Sequence, residues 1–154
     1  MTNPIKRILC VDDEEDILAV VKLALETVGG FETRQCDSGA DALAEAGSFH
    51  PDIILLDVMM PQMDGLATLK ALRQDPATAR IPVIFMTAKV QASEVKQYLD
   101  LGAAGVVAKP FDPMELSRQV EKLWKQLHAV DATALNDGAA PAAAGRRRLL
   151  EEKV

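Results

Sequence analysis

The stretch from Asp52 to Pro61 constrains the fold of this chain more than any other. The apolar residues from Ile53 to Leu56 form an unbroken run, which stops at Asp57 and is followed by a break at Pro61. Such a run is typical of a strand buried on both faces, as in a parallel sheet covered by helices. In these sheets ligands bind just outside the carboxyl ends of the strands. We therefore expect Asp57 at the functional edge of the sheet.

The composition limits the class of protein. A chain of 154 residues with 49% hydrophobic and 26% charged residues predicts one globular domain with a sizeable core. The net charge of −6 argues against nucleic-acid binding, which needs a clustered basic face. No apolar run is long enough to cross a bilayer, and the first residues lack the apolar core of a signal peptide. We expect a cytoplasmic protein that does not bind membranes.

Cysteine and histidine, both scarce here, limit the chemistry further. Cys10 and Cys36 fall inside predicted strands, which favours reduced, buried thiols over a disulfide framework. His50 and His128 are far apart in the sequence, so a histidine-based metal site is not expected.

Strand patterns and helix patterns alternate along the chain. The predicted strands cover residues 6–11, 31–36, 53–57, 81–86 and 105–108. The predicted helices cover residues 17–25, 40–46, 66–73 and 94–101, and a last one starts at 112. Alternation of this kind predicts βαβ units with right-handed crossovers, which build a parallel sheet covered by helices.

Capping residues predict several helix boundaries. Gly47 is expected to end the second helix, and Ser93 to cap the fourth. The last helix has the form of a capping box: Asp112 is the cap, Pro113 takes the first helical position, and Glu115 lies three residues after the cap.

The C-terminal part of the sequence has a different composition. Residues 1–128 are predicted to form the domain, and residues 129–154 a low-complexity tail rich in Ala, Gly and Pro. The tail contains the basic run Arg146 to Arg148, which is expected to be solvated, although contact with an acidic partner is the alternative. We expect a mobile extension and no second domain, with a short helix near Leu149 and Leu150 as the other possibility.

Polar residues end or follow four of the five predicted strands. Asp12 and Asp13 follow the first strand, Asp57 ends the third, Thr87 follows the fourth and Lys109 the fifth. Three carboxylates at one sheet edge repel each other, and a hard divalent cation such as Mg²⁺, with Mn²⁺ as the alternative, would compensate them. A cation, an ammonium and a hydroxyl around a carboxylate make a binding place for a phosphoryl group. Asp57 would then be the nucleophile that forms an aspartyl phosphate.

Each of these residues also has an ordinary structural explanation. Lys109 alone would be a solvated lysine, Thr87 a hydroxyl bonded to backbone, and Asp12 a helix cap. Their shared position at the carboxyl ends of predicted strands favours a common site, since that coincidence is hard to obtain by chance.

The sequence resembles the CheY-like receiver domain of two-component response regulators from about Lys6 to Leu127. The matching stretches are ILCVDDE at 8–14, DVMMP at 57–61, MDG at 63–65, PVIFMTA at 82–88, LGA at 101–103 and KPF at 109–111. Each stretch alone is a weak signal, whereas the ordered set is highly specific.

The resemblance implies a fold and a reaction. The fold is a doubly wound five-stranded parallel sheet of order 2-1-3-4-5, flanked by five helices as in flavodoxin. Asp57 is implied to receive a phosphoryl group from a histidine kinase or a histidine phosphotransfer protein. Asp13 and Asp57 are implied to bind Mg²⁺ directly together with the backbone carbonyl of Met59, while Asp12 acts mainly through water.

The resemblance also assigns the residues around the phosphoryl group. Thr87 and Lys109 are implied to hold the phosphoryl oxygens, and the peptide bond between Lys109 and Pro110 is expected to be cis. Met59 and Lys89, each two residues after a site residue, are implied to tune how quickly water hydrolyses the phosphoaspartate.

One position departs from the family pattern. Family members often carry Tyr or Phe three residues before the lysine, where the ring turns inward on activation, but this chain has Val106. Its output must therefore be transmitted differently. Tyr98, on the fourth helix, is a possible substitute, although simple packing is the alternative for it.

Our leading hypothesis is a stand-alone phosphoacceptor, which catalyses only its own phosphorylation and dephosphorylation. It would act on a downstream protein through the face formed by the fourth helix, the fifth strand and the fifth helix. Within this class it is either a phosphorelay intermediate or an end-point regulator. A receiver cut from a hybrid kinase or transcription factor is a further alternative, in which the tail is a linker.

Other classes share parts of the pattern. A phosphatase of the haloacid dehalogenase type forms a phosphoaspartate but needs an acid two residues after the nucleophile, where this chain has Met59. A flavodoxin-like cofactor protein needs a phosphate-cradling loop after the first strand, where this chain has acids that would repel a phosphate.

Overall fold

The computed structural model describes the backbone of residues 4–137 and the side chains of residues 4–129. The strands are β1 Arg7–Val11, β2 Glu32–Cys36, β3 Ile53–Asp57, β4 Val83–Thr87 and β5 Gly105–Ala108. The helices are α1 Glu15–Leu23, continued by a π-helical turn Ala24–Val28, then α2 Gly39–Phe49, α3 Gly65–Gln74, α4 Ala92–Asp100 and α5 Leu116–Asp137.

All the strands pair in parallel, in the order β2-β1-β3-β4-β5. This confirms the doubly wound sheet of order 2-1-3-4-5. Every residue of β3 and β4 is buried, as an unbroken apolar run predicts for strands in the middle of a covered sheet. β2 alternates between accessible and less accessible residues, which is typical of an edge strand.

The helices cover the sheet on both faces and create two hydrophobic clusters. One cluster joins alternate strand residues such as Ile8 and Ile53 to side chains of α1 and α5, including Trp124. The other joins the intervening residues such as Leu9 to α2, α3 and Tyr98 of α4. The polar carboxyl edge of the sheet therefore rests on a core that is packed from both sides.

The two cysteines lie on opposite faces of this sheet. Cys10 belongs to the first cluster and Cys36 to the second. Both are free and buried, as the sequence predicts. Burial, the largest cause, raises the pKa of the Cys36 thiol to about 12, so this group stays protonated at neutral pH.

The predicted end of the second helix at Gly47 is wrong. α2 continues to Phe49, and His50 then ends it in a left-handed conformation with φ of 53°. The extra turn brings the ring of Phe49 into the core, where it is 3% exposed. Burial of a large aromatic side chain outweighs the modest cost of one glycine in a helix.

Two predicted helix starts are also wrong. Ser93 does not cap α4, because the carboxylate of Glu94 accepts a hydrogen bond from the backbone N–H of Gln91 at 3.2 Å and places the cap two residues earlier. Asp112 does not start α5, which begins at Leu116. The Asp112 carboxylate instead accepts from the backbone N–H of Met114 at 2.9 Å, which closes a local turn before the helix.

The backbone of α5 runs to Asp137, beyond residue 128, which the sequence predicts as the end of the domain. That boundary stays a prediction. The basic run at Arg146 and the possible helix near Leu149 lie outside the described residues. Within the described part of the chain, no helix combines the length and the apolar character that crossing a bilayer requires.

Candidate functional site

The side chain of Lys109 joins two carboxylates at the carboxyl edge of the sheet. Its Nζ lies 2.7 Å from Oδ2 of Asp12 and 3.2 Å from Oδ1 of Asp57. These residues are far apart in the sequence but come directly after β1, at the end of β3 and directly after β5, because parallel strands all end at the same edge. The structure therefore brings together three of the residues that the sequence predicts to share a site.

Both carboxylates are withdrawn from solvent. Asp12 is 0% exposed and Asp57 is 2% exposed. The single ammonium of Lys109 pairs with both carboxylates. Burial and then the negative charge of Asp12 raise the pKa of Asp57 from 3.8 to about 6, against the opposing effect of Lys109. Burial alone would lower the pKa of Lys109, but the hydrogen bonds and charges of Asp12 and Asp57 outweigh it and raise that pKa.

A third carboxylate, Asp13, completes an acidic cluster. Asp12, Asp13 and Asp57 each offer an oxygen, and these oxygens lie within 4.8 Å of one another. Three carboxylates with one ammonium leave surplus negative charge in a largely buried place. Oxygen ligands of this kind suit a hard divalent cation such as Mg²⁺, so the residues fit the predicted metal.

The turn after β3 is built around Gly65. A Cβ atom at this position would collide with the backbone carbonyl oxygen of Asp57 and come within 2.8 Å of the Cα of Val58. The Gly65 N–H also donates to the carbonyl of Val58 at 2.9 Å. Asp64 then caps α3 by accepting from Ala67 N–H at 2.8 Å. Gly65 thus lets α3 begin directly against the backbone of Asp57.

From the sequence, Gly65 stands out only as part of a stretch that matches the family, and this role of Gly65 was not predicted. A glycine that directly follows a capping aspartate at a strand-to-helix turn is the signal that could have revealed it. Met59 lies in the same turn with an exposed side chain, 58% accessible. Its backbone forms a hydrogen bond that lowers the pKa of Asp57, against the larger effect of burial. Its carbonyl as a metal ligand remains a prediction.

Thr87 ends β4 at the same edge. Its side chain is 1% exposed, and its Oγ1 accepts a hydrogen bond from the backbone N–H of Lys89 at 3.0 Å. The backbone N–H of Lys109 donates to the Thr87 carbonyl at 2.9 Å, which ties the end of β4 to the end of β5. In the sheet, Asp57 pairs with Met86, the residue before Thr87. The peptide bond between Lys109 and Pro110 is cis, as predicted.

The family of the chain follows from its comparison with known sequences. The profile of the response regulator receiver domain matches residues 8–121, most of the chain. This chain belongs to that family.

Relatives of known sequence agree with this assignment. The chain is 40% identical over 118 residues to Regulatory protein AtoC of Escherichia coli, covering 77% of this chain and 25% of AtoC. It is 36% identical over 121 residues to the alkaline phosphatase synthesis transcriptional regulatory protein PhoP of Bacillus subtilis, covering 79% of this chain and 49% of PhoP. The chain thus spans about a quarter to a half of the length of these curated relatives.

Solved structures show the same fold. The chemotaxis protein CheY4 of Vibrio cholerae matches with a TM-score of 0.72 and 29% identity, covering 78% of this chain and 99% of CheY4. A response regulator from Chloroflexus aurantiacus matches with a TM-score of 0.71 and 32% identity, covering 79% and 99%. Receiver domains bind Mg²⁺ through an acidic pocket and interact with histidine kinases, and they are not conventional enzymes.

Val106 and Tyr98, two of the predicted switch positions of this receiver domain, both lie next to Phe85 of β4, two residues before Thr87. Val106 is partly buried and packs against both hydrophobic clusters. Tyr98 is 4% exposed, and its hydroxyl donates to the carbonyl of Lys89 at 3.2 Å. Its ring meets Phe85 of β4 edge-on, with ring centres 5.4 Å apart and planes at 73°. The hydrogen bond between Tyr98 and Lys89 was not predicted from the sequence.

Proposed function

We propose that Asp57 is the phosphoacceptor of a two-component signalling system or phosphorelay. The donor is the phosphohistidine of a histidine kinase or a histidine phosphotransfer protein. The observation that supports this most strongly is the position of the Lys109 ammonium, which contacts the buried carboxylates of Asp12 and Asp57. These groups lie at the same edge of the sheet as Thr87, the last residue of β4. The ammonium can pair with a phosphoryl oxygen, and a divalent cation held by the carboxylates would offset the remaining negative charge.

The choice of Asp57 over Asp12 rests on their hydrogen bonds. Oδ1 of Asp12 accepts from the backbone N–H of Glu14 at 2.9 Å, and its Oδ2 contacts Lys109 at 2.7 Å, so both oxygens of Asp12 are engaged. Asp57 makes the longer contact with Lys109, at 3.2 Å. A pKa of about 6 leaves Asp57 ionised and nucleophilic at neutral pH.

In the proposed reaction an oxygen of Asp57 forms a bond to phosphorus. The bond between phosphorus and the donor imidazole nitrogen breaks, and its electron pair stays on that nitrogen, which takes up a proton. Lys109 then pairs with a phosphoryl oxygen, and the hydroxyl of Thr87 donates a hydrogen bond to another. Loss of the phosphoryl group to water restores the Asp57 carboxylate, with Met59 and Lys89 positioned to affect that rate.

The same site would hold the metal. We assign Asp13 and Asp57 as direct ligands of Mg²⁺, or Mn²⁺, with the carbonyl of Met59, and Asp12 as acting through water. The bound cation supplies positive charge that offsets the charge of the phosphoryl group. The acidic cluster supports this assignment because its oxygens lie within 4.8 Å of one another.

Phosphorylation would act as a switch. A new dianionic group draws Thr87 and Lys109 toward it and so biases an equilibrium between two conformations. The output surface would be the face formed by α4, β5 and α5, through which a downstream protein binds. We place this activity in the cytoplasm, with no direct contact to nucleic acid or membrane by the receiver itself.

Two arrangements fit this function. The receiver, residues 1–128, acts alone with residues 129–154 as a tail, or it is the receiver portion of a longer regulator. The phosphotransfer chemistry is the same in both.

The function is tested by phosphorylation of the purified protein with acetyl phosphate and Mg²⁺, followed by intact-mass measurement. We expect one added phosphate in the wild type and in Asp100→Asn, a matched control on the exposed side of α4, and none in Asp57→Asn. The proposal is wrong if the wild type gains no phosphate or if Asp57→Asn gains it to the same extent.

A further inference from the structure

Tyr98 connects α4 to the segment that follows β4. Its side chain is 4% exposed, and its hydroxyl donates to the backbone carbonyl of Lys89 at 3.2 Å. The ring packs edge-on against Phe85, which lies two residues before Thr87 in β4. A buried phenol needs such a partner, because leaving its hydroxyl unpaired is costly. The position of the Lys89 carbonyl is therefore fixed in part by α4.

Lys89 is held from both sides of its backbone. Its carbonyl accepts from Tyr98, while its N–H donates to Oγ1 of Thr87 at 3.0 Å. One residue thus links the hydroxyl of Thr87, at the phosphoryl site, to the hydroxyl of Tyr98, on the helix. The Lys89 side chain takes no part in this link, so its backbone carries the connection.

The neighbouring strand offers no comparable link. Val106, in β5, pairs with Phe85 in the sheet and packs in the same hydrophobic cluster as Phe85 and Tyr98. A valine side chain has neither a hydroxyl to donate nor a ring to reorient. A signal that passes from the phosphoryl site to this face therefore needs a carrier other than the β5 side chain.

We propose that Tyr98 is the positioning residue that holds Thr87 through the backbone of Lys89 and passes the state of the phosphoryl site to α4. The proposal rests on the proposed function of Asp57. When Thr87 binds the phosphoryl group, the N–H of Lys89 follows Oγ1, and the Lys89 carbonyl changes its contact with Tyr98. Coupling of this kind is reciprocal, so the Tyr98 hydroxyl also affects how tightly the site holds a phosphoryl group.

The chain has one tyrosine and one tryptophan, so each can be labelled with fluorine without a mutation. Fluorine NMR of protein carrying 3-fluorotyrosine and 5-fluorotryptophan is recorded with Mg²⁺, before and after addition of beryllofluoride. The bound beryllofluoride gives its own fluorine signals, which report loading of Asp57 in the same spectrum. Trp124, which lies on α5 in the cluster on the other face of the sheet, gives a second resonance that reports on the rest of the output surface.

We expect the Tyr98 resonance to shift by several linewidths when the bound beryllofluoride signals appear. Thr87→Ser should keep the Tyr98 shift. Thr87→Val, examined at a beryllofluoride concentration at which the bound signals are seen, should lose it. Tyr98→Phe should weaken beryllofluoride binding by about twofold to tenfold, the effect of one hydrogen bond.

The outcomes separate this inference from the function on which it rests. Absence of bound beryllofluoride in the wild type contradicts the proposed function of Asp57 itself. Bound beryllofluoride with an unmoved Tyr98, or a full Tyr98 shift in Thr87→Val, overturns the role of Tyr98 and leaves the phosphoacceptor intact. Unchanged binding in Tyr98→Phe contradicts the reciprocal coupling.

Discussion

The two ends of the sheet use similar residues for different purposes. At the amino end, Arg7 and Glu32 form an ion pair of 3.5 Å in which the side chains are 45% and 63% exposed. At the carboxyl end, Lys109 pairs with Asp12 and Asp57 where the side chains are 16%, 0% and 4% exposed. Solvent screens the first pair, which keeps its contribution to stability small. Burial and the neighbouring charges shift the pKa values of Asp57 and Lys109 in the second group, as is typical of functional sites.

Asp52 gives a second comparison, because it directly precedes β3, the strand that Asp57 ends. Its Oδ2 accepts hydrogen bonds from the backbone N–H groups of Lys6 and Arg7, at 2.8 and 3.0 Å. These bonds join the starts of β1 and β3, and they give this carboxylate a structural role. Asp57 instead lies beside the carboxylate of Asp12 and the ammonium of Lys109. That ammonium offsets the charge of Asp57 and can also pair with a phosphoryl group.

Removal of the ammonium should produce the largest effect. Lys109→Met leaves two buried carboxylates without their cation and the phosphoryl group without its partner. We expect the rate of phosphorylation by acetyl phosphate to fall by about 100-fold or more, the usual effect of losing one charge-stabilising donor. Arg7→Met, the matched change at the amino end, should leave the rate within about twofold. The rates are measured by intact mass against time. An equal fall in the phosphorylation rate in the two variants would show that the two ends of the sheet do not differ in this way.

Replacement of a glycine by alanine should destabilise the protein at the site but not in a helix away from it. Gly65→Ala forces a Cβ against the backbone of Asp57 and Val58, and we expect a loss of roughly 2 to 4 kcal/mol in the free energy of unfolding. Gly47→Ala is the control, because nothing lies within 4 Å of its added Cβ. It should stabilise α2 by up to about 1 kcal/mol. Urea unfolding measures both, and a neutral Gly65→Ala would contradict the close approach of α3 to Asp57.

Because the pKa of Asp57 is raised, replacing its carboxyl by a neutral group should stabilise the fold by an amount that depends on pH. A carboxyl whose pKa is raised on folding favours the folded state only while it is protonated, so this stability is lost as pH rises through about 6. Asp57→Asn avoids the loss. Without Mg²⁺ it should therefore raise the free energy of unfolding by roughly 1 to 3 kcal/mol at pH 7.5, with little gain near pH 4.

Urea unfolding across this pH range measures that gain. Asp52→Asn is the control, since it weakens two backbone hydrogen bonds and should not stabilise at any pH. A gain in Asp57→Asn that is the same at pH 4 and pH 7.5 would show that burial does not perturb the Asp57 carboxyl.

The smallest effect is expected at the exposed pair. Glu32→Gln removes the ion pair with Arg7, and we expect a change in the free energy of unfolding below about 0.5 kcal/mol. Thermal unfolding at low and high salt checks this. A loss of several times that size would mean that the amino end is held by its charges and would weaken the comparison.

Much of the fold could be predicted from the sequence because the hydrophobic pattern specifies its strands and helices. The unbroken apolar run at 53–56 identified the central strand. The alternation of strands and helices predicted a parallel sheet, and the family resemblance implied the order of its strands. Helix ends were harder. Phe49 extends α2 past Gly47 and the carboxylate of Asp112 closes a turn before α5, and both outcomes depend on tertiary packing or local hydrogen bonds.

The candidate site could be predicted in outline for a similar reason. Strand ends meet at one edge in any parallel sheet, so Asp12, Asp57, Thr87 and Lys109 were expected together. The sequence could not predict which carboxylate Lys109 contacts more closely, or that the Lys89 backbone is bonded to Thr87 and Tyr98. These details depend on side-chain rotamers and loop geometry, which leave no periodic signal.

The proposed function requires that Asp57, and not a neighbouring acid, accepts the phosphoryl group. Its most direct test is to phosphorylate the protein with acetyl phosphate and Mg²⁺, reduce the acyl phosphate with borodeuteride, and locate the resulting homoserine by peptide mass spectrometry. We predict deuterated homoserine at position 57 alone. Homoserine at position 12 or 13, or at no position after phosphorylation is shown by intact mass, would contradict the claim.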